Sequence, residues 1–505
     1  MIAKTFAAAL LASALTAPAY AQAGAGTTDV AAELAALRAR ITQLEGEVAA
    51  LKTAPVQAAP TELAAPQAAP AAGQMQTAPA AAPAEAPSWK GAPEFTHKSG
   101  FSFKPRGMIQ LDAGFVGTPG PTRAGVVGGL DYDNLGWNTR ARRILFGAQG
   151  KLPGGFGYTA EFDFAQGQVN YEDIILTYQA DKSPLLVTIG NFYPFSSLDT
   201  MTSSRVTSFL ERATLTDAFG YNRRLGVGIT WSDVEDDEYV VHAGLFSQEI
   251  NNSSFNRTGW QASVRGVYAP KLGETRLHVG ANFQHRVAQQ DAQNVRYRAR
   301  PLTQLTDQRF IDTGAIAADG DDILGLELGA IRGPFHFAAE AQQVWVRGFR
   351  PGETFGANNG VDGGLFYADD PRFRSAYGEI GFYFTGETRG YKNGRWDRTK
   401  VLRGFDKGGW GALQANLRVD YVDLGDRVAG TSLSAPDFVN GGRQLGYQAS
   451  LIWNPTDYLR FMAQYGRANY QGGPRAGTVV PGSTAPVDER SFDVDTVGVR
   501  AQVDF

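Results

Sequence analysis

The last eleven residues, Asp495 to Phe505, alternate strictly in character. Val497, Val499, Ala501, Val503 and Phe505 fall on one side of an extended strand, and Thr496, Gly498, Arg500, Gln502 and Asp504 on the other. Strand side chains alternate with period two, so the segment has one apolar wall and one polar, charged wall. A half-buried strand of a soluble sheet shows the same pattern. The aromatic final residue, with a secretory signal at the opposite end, favours an outer-membrane β-barrel whose strands meet lipid outside and water inside.

That signal is readable residue by residue. Lys4 gives a positive n-region, Phe6 to Ala17 an apolar stretch, and Ala19-Tyr20-Ala21 the small-x-small cleavage pattern, so cleavage is expected after Ala21. The apolar stretch is too short for a membrane helix, and no later segment approaches the ~20 apolar residues that a helical span needs. An ordinary periplasmic protein carries the same signal, so it fixes export and no more. The absence of cysteine excludes disulfide scaffolds, thiol nucleophiles and thiolate metal sites. A mean hydropathy of -0.25 suits a barrel, which spreads its apolar residues by alternation. The net charge of -4 argues against a nucleic-acid partner. Of 47 basic residues, 36 are arginine, whose rigid fork matches phosphate and carboxylate. GC-rich codon usage gives the same excess, so the count alone does not establish an anion site.

Three regions follow the signal at 1–21, each with its own composition. Residues 22–53 carry a heptad pattern, with Leu34, Ile41 and Val48 at a and Val30, Leu37, Leu44 and Leu51 at d, predicting a short parallel coiled coil. Residues 54–95 are rich in Ala and Pro and predict an extended spacer. The remainder, 96–505, predicts an all-β barrel of sixteen antiparallel strands. These lie near 101–116, 138–150, 155–164, 170–179, 185–192, 224–232, 239–247, 258–268, 275–286, 322–331, 334–346, 374–385, 409–423, 443–453, 458–470 and 492–505. Short turns alternate with long loops, and an even strand number places both termini on the periplasmic side. Two connections break the alternation: the one after the third strand is short, and the periplasmic one near 386–408 is long.

Parity then assigns side chains to the lumen. It points Arg143, Arg265, Arg286, Arg418, Arg460 and Arg500 inward, together with Glu161, Asp163, Asp173, Glu327, Glu340, Glu379 and Asp420. Free arginines would form a ladder that replaces water around a passing anion. Arginines each neutralised by a carboxylate would only brace the wall, and parity does not choose between the two. Residues Tyr193 to Arg224 lack alternation and predict a constriction loop with Arg205, Arg212, Arg223 and Arg224 against Asp199, Glu211 and Asp217, with Arg212 and Glu211 as a candidate internal pair. No enzymatic constellation is present: the five histidines lack metal-ligand spacing, and no cofactor or metal is expected.

The segments Arg142–Leu152, Gly190–Leu198, Thr202–Arg212, Arg300–Leu302, Phe310–Ile316, Gly333–Glu340 and Thr385–Tyr391 together resemble the phosphate-selective porin O and P family. The resemblance spans essentially the whole barrel. It implies a homotrimer in the outer membrane, in contact with its lipid, passing small phosphate-like anions along an arginine ladder and past an inward-folded third loop. On this chain the ladder positions are Arg142 and Arg143, with Arg265 and Arg286 as looser matches. It also implies that the barrel assembly machinery reads Phe505 as an insertion signal. One departure stands out: phosphate-specific members place lysines near the constriction, and Tyr193–Arg224 has none. The expected function is passive diffusion of small anions, phosphate or polyphosphate among them. The alternatives are a general-diffusion porin and a barrel-anchored tether whose coil and spacer reach toward peptidoglycan.

Overall fold

The computed structural model describes residues 88–89, 91–119, 135–233, 237–247, 249–251, 259–289, 294–348, 370–427, 438–480 and 482–505. The expected signal with its cleavage at Ala21, the coiled coil, and the spacer up to residue 87 lie outside the described residues.

Sixteen strands build the barrel. They are β1 Ser102–Val116, β2 Gly136–Leu152, β3 Phe156–Asp163, β4 Asn170–Tyr178, β5 Leu185–Phe192, β6 Arg224–Ser232, β7 Tyr239–Ser247 and β8 Trp260–Tyr268, then β9 Thr275–Val287, β10 Gly320–Arg332, β11 Phe335–Arg347, β12 Arg372–Tyr383, β13 Ala412–Arg427, β14 Phe438–Thr456, β15 Leu459–Gln471 and β16 Ser491–Asp504. Each pairs antiparallel with its neighbour in sequence, and β16 returns to β1 from Thr496↔Val116 to Asp504↔Met108. Closure leaves no strand edge exposed to lipid, where an unpaired backbone group costs several kcal/mol. All sixteen expected strands form. The spacer is shorter than its composition indicated, because Ser88–Trp89 pairs with Pro93–Thr96, which in turn joins the base of β1 through Phe95↔Phe103.

The seam between first and last strands ends on the terminal residue. Gly107 N–H donates to the Phe505 carbonyl at 3.0 Å, and Phe505 N–H returns the bond to Gly107 at 3.1 Å. A β-carbon on Gly107 would stand 2.5 Å from the Phe505 ring and 3.0 Å from Leu145 O, so a larger residue there would displace the terminal aromatic. The outward row that begins at Val497 and Val499 continues around the barrel in Leu324, Leu326, Leu328, Leu417 and Leu451, all exposed. Aromatic pairs mark its rim at the short-turn end, among them Phe156–Tyr178, Tyr239–Tyr268 and Phe335–Phe382. This is an apolar belt edged by aromatics.

The lumen departs from the expected polar, water-filled interior. At the long-loop end Val344, Val346, Phe373, Val422, Leu424, Tyr470, Phe492 and Val494 point inward and are buried. They pack against the connection between β9 and β10, where Asn294–Val295 pairs with Ile316–Ala317 and Arg298–Ala299 with Ile311–Asp312. Tyr297, Leu302, Phe310, Ile311 and Ile316 of that connection are buried in the same cluster, so part of the barrel interior is a true hydrophobic core.

Candidate functional site

Three segments turn into the barrel, and the sequence motifs singled out above lie largely on them. The first is residues 193–223, between β5 and β6. It contains two short helices, α1 Leu198–Met201 and α2 Thr214–Ala218, and Ser197 caps α1 by accepting Thr200 N–H. The second is the β9–β10 connection. The third is the long periplasmic connection between β12 and β13, whose Gly390–Lys392 and Arg395–Asp397 form a hairpin. Its turn residues Asn393 and Gly394 both have positive φ, 51° and 69°, the geometry of the Asn-Gly hairpin turn.

The first segment crosses the lumen, so its backbone polar groups need partners from the opposite wall. Inward carboxylates supply acceptors: Glu340 takes Asp199 N–H at 2.7 Å, Glu379 takes the Ser208 hydroxyl at 2.9 Å, and Asp420 takes Thr214 N–H at 2.7 Å. Inward arginines supply donors: Arg500 gives to Leu210 O at 2.6 Å, Arg418 to Glu211 O at 3.3 Å, and Arg460 to Arg205 O at 3.2 Å. The charges of β11–β16 are therefore largely occupied in holding the loop.

The same geometry settles which arginines are paired. Arg265 is fully buried and binds Glu327 through Nη2 at 2.6 Å, with a further bond to Gly394 O of the periplasmic hairpin at 2.7 Å. It reaches over β9 at Gly280, where a β-carbon would come within 3.0 Å of the Glu327 carboxylate. Arg286 binds Asp321 through Nε and Nη2, both at 2.6 Å. Arg418 takes Glu379 at 2.6 Å, not Asp420 two residues along its own strand. The expected pair of Arg212 with Glu211 does not form. Glu211 instead receives Arg142 at 2.8 Å and Arg500 at 2.9 Å, while Arg212 donates to the carbonyls of Asp199 and Thr202.

A cavity of about 410 Å³ lies between this segment, the periplasmic hairpin and the wall of β1–β7. Its guanidiniums are Arg106, Arg143, Arg205, Arg212, Arg223 and Arg395; its carboxylates are Glu161, Glu172, Asp173 and Asp397. Arg106 and Arg205 share Glu161 at 3.0 and 2.5 Å, and Arg223 holds Glu172 and Asp173 at 2.5 and 2.7 Å. Among the described residues, Arg143 donates only to Gln110 Oε1 at 3.0 Å, and Arg395 reaches only Met201 O at 3.4 Å. With Arg212, these three form no ion pair with any described carboxylate. The Tyr193 ring lies beneath Arg212 and Arg223, with centroids 5.5 and 4.4 Å away.

Two β-bulges shape this wall. Gln110 faces Arg143 and Leu111 faces Ala141, which leaves Arg142 as an extra residue in β2. Strict parity would send Arg142 to the lipid. The bulge turns it inward beside Arg143, which frees it to bind Glu211. In the same way Ala160 faces Ile174 and Phe162 faces Tyr171, so consecutive Glu172 and Asp173 of β4 both reach Arg223.

Of the residues expected to form the path, Arg143 stands at the cavity and Arg142 just behind it, paired. Arg265 and Arg286 stand away from it. Arg205, Arg212 and Arg223 line it, while Arg224 belongs to β6 and does not. Arg395 was missed from sequence. Its signal was the Asn393-Gly394 dipeptide inside an over-long periplasmic connection.

A family model, phosphate-selective porin O and P, matches residues 127–505. An uncharacterised protein of Caulobacter vibrioides is 37% identical over 495 residues, covering 94% of this chain and 89% of that protein. Among solved structures, the outer-membrane channel DcaP of Acinetobacter baumannii is 14% identical, covering 81% of this chain and 99% of that one with a TM-score of 0.45. An anion-selective porin from Comamonas acidovorans is 12% identical, covering 80% of this chain and 100% of that one, with a TM-score of 0.43. The chain belongs to the phosphate-selective porin O and P family, and its closed sixteen-strand barrel is that of a bacterial outer-membrane protein.

Proposed function

We propose that this member of the phosphate-selective porin O and P family is a passive diffusion channel for small anions, and that the cavity beside Arg143, Arg212 and Arg395 is its path. The observation that supports the reading is the division of the arginines. Those of β8, β9, β13 and β16 are tied to carboxylates, and Arg460 of β15 to carbonyls of the constriction segment. The three named here form no ion pair with a described carboxylate, and their hydrogen bonds go to neutral acceptors. An unneutralised guanidinium facing water lowers the energy of a passing anion and raises that of a cation.

Ser203 and Ser204 line the same cavity and offer hydroxyl donors, which suits an oxyanion. A volume of about 410 Å³ admits a hydrated phosphate as readily as chloride. With no lysine between β5 and β6, the proposed preference is for small anions as a class, phosphate among them. The test is the reversal potential of the purified protein in planar bilayers under a potassium chloride gradient, repeated with phosphate. An anion-selective potential is expected in both salts. A cation-selective potential would refute the reading, and a closed barrel would favour the tether.

A further inference from the structure

On the far side of the constriction segment lies a second set of arginines that the cavity does not use. Arg460 of β15 donates to Arg205 O at 3.2 Å and to Thr207 O. Arg389, from the periplasmic connection, donates to Val206 O and the Ser208 hydroxyl at 2.8 and 2.9 Å. Three successive carbonyls are thus held by two guanidiniums laid along one short run of backbone. Neither arginine forms an ion pair with a described carboxylate. They are 6% and 4% exposed, and the Nε of each has no hydrogen-bond partner among the described residues. Buried N–H groups nearly always find an acceptor, and buried charge is costly without a counter-charge.

Both side chains line a small cavity of about 30 Å³, together with Arg205, Arg398, Asp457 and Asp504. The two carboxylates are already engaged. Asp504 pairs with Arg398 and stands 3.9 Å from Arg205, and Asp457 accepts Val401 N–H at 2.7 Å. The lining thus carries four guanidiniums, Arg205, Arg389, Arg398 and Arg460, against two carboxylates, an excess of positive charge. Roughly 10–15 Å³ holds one water, so the space has room for about two waters or one small anion such as a halide.

We propose that this cavity is a halide site, with the Nε–H groups of Arg389 and Arg460 as its charged donors. The ion would join β15, the constriction segment at residues 205–208 and the periplasmic connection, serving as a structural counter-ion of the constriction. The site goes beyond the anion path proposed above and does not depend on it, since a halide held here need not be conducted.

The test is a crystal of the full-length protein grown with sodium bromide as the sole halide, with data collected at the bromine edge. An anomalous peak is expected within hydrogen-bonding reach of both Nε atoms, and its loss in Arg460→Gln and Arg389→Gln. In detergent, the thermal midpoint of the wild type should be higher in bromide than in sulfate at matched ionic strength, and that difference should vanish in either variant. A well-ordered wild-type map with no peak there overturns the proposal, even if neither variant folds. So does a bromide effect on stability that both variants retain. A peak only in the wider cavity would support the anion path and overturn this site.

Discussion

Arg395→Gln isolates one charge at the proposed path with little structural cost. The side chain is exposed to the cavity, and among the described residues its one hydrogen bond is the long contact to Met201 O at 3.4 Å. At about 5 Å from a permeating ion in water, a unit charge is worth roughly 0.8 kcal/mol. Its removal weakens the anion by that amount and relieves the cation equally, a shift of about 1.6 kcal/mol in the permeability ratio, or roughly fifteenfold. At 0.1 M salt, with a Debye length of about 10 Å, the interaction falls to roughly 0.6 of that, which leaves about fivefold. At 1 M, with a Debye length of about 3 Å, less than roughly twofold remains. Reversal potentials across salt gradients at the two concentrations measure both numbers. An unchanged ratio at low salt, in a variant with wild-type conductance, would remove Arg395 from the path. A loss that did not shrink at high salt would show that the charge acts by shaping the hairpin, which the Coulomb argument does not allow.

Four further outcomes are expected. Arg265→Ala strands Glu327 in a buried site, and breaking one side of such a pair costs about 3–5 kcal/mol; the thermal midpoint should fall while the anion preference of the surviving channel stays. Burial pushes the Glu211 carboxyl up, but Arg142 and Arg500 reverse this and hold it well below the ordinary carboxylate range. A depressed folded value means stability that is present above the unfolded value of about 4.3 and is lost only as pH falls through the lower folded one. Single-channel conductance should therefore hold between about pH 7 and pH 5, and acid closure in that window would contradict the pairing. Phe505→Ala removes at most about 1.5–3 kcal/mol of burial, so refolding in detergent should be near normal while insertion in cells fails; equal loss in both assays would indicate packing alone. Deleting 22–87, which spares the Ser88–Thr96 strands at the barrel base, should leave a conducting trimer with a lower thermal midpoint; a monomer on native electrophoresis would refute that.

How far the barrel could be read depended on which side of the strand was asked about. The lipid side is uniform, so period-two alternation located every strand. The lumen side is not, because it meets water, loop backbone and loop apolar residues at different heights. Val344, Val346, Phe373 and Leu424 are inward and apolar because the β9–β10 connection covers them, and parity has no term for that cover. Parity leaves partner choice open for a related reason. Arg418 and Asp420 share a face but lie roughly 6.6 Å apart along the strand, whereas a residue directly opposite on the next strand is about 5 Å away. Glu379 is the residue opposite Arg418, as Asp321 is opposite Arg286 and Asp112 opposite Arg500. Those pairs follow from register, which loop lengths did not supply.

The bulges carry the same point into the site itself. A regular strand can present only every second residue to the lumen, so adjacent charges in sequence would be divided between water and lipid. Arg142-Arg143 and Glu172-Asp173 are each adjacent, each straddle a register shift, and each bring both members inside. The chain thereby doubles the charge density at one height of the wall. One member of the first pair, Arg142, is consumed in fixing the constriction segment through Glu211, and the other, Arg143, is left to face the cavity. Both members of the acidic pair are bound by Arg223, and neither forms an ion pair with Arg143. Deleting Arg142, the extra residue of β2, would restore strict alternation with Arg143 still opposite Gln110 and inward. It would thus take away the loop's anchor on Glu211 and spare the cavity's cation, so loop position should be disturbed while the charge of Arg143 stays in place.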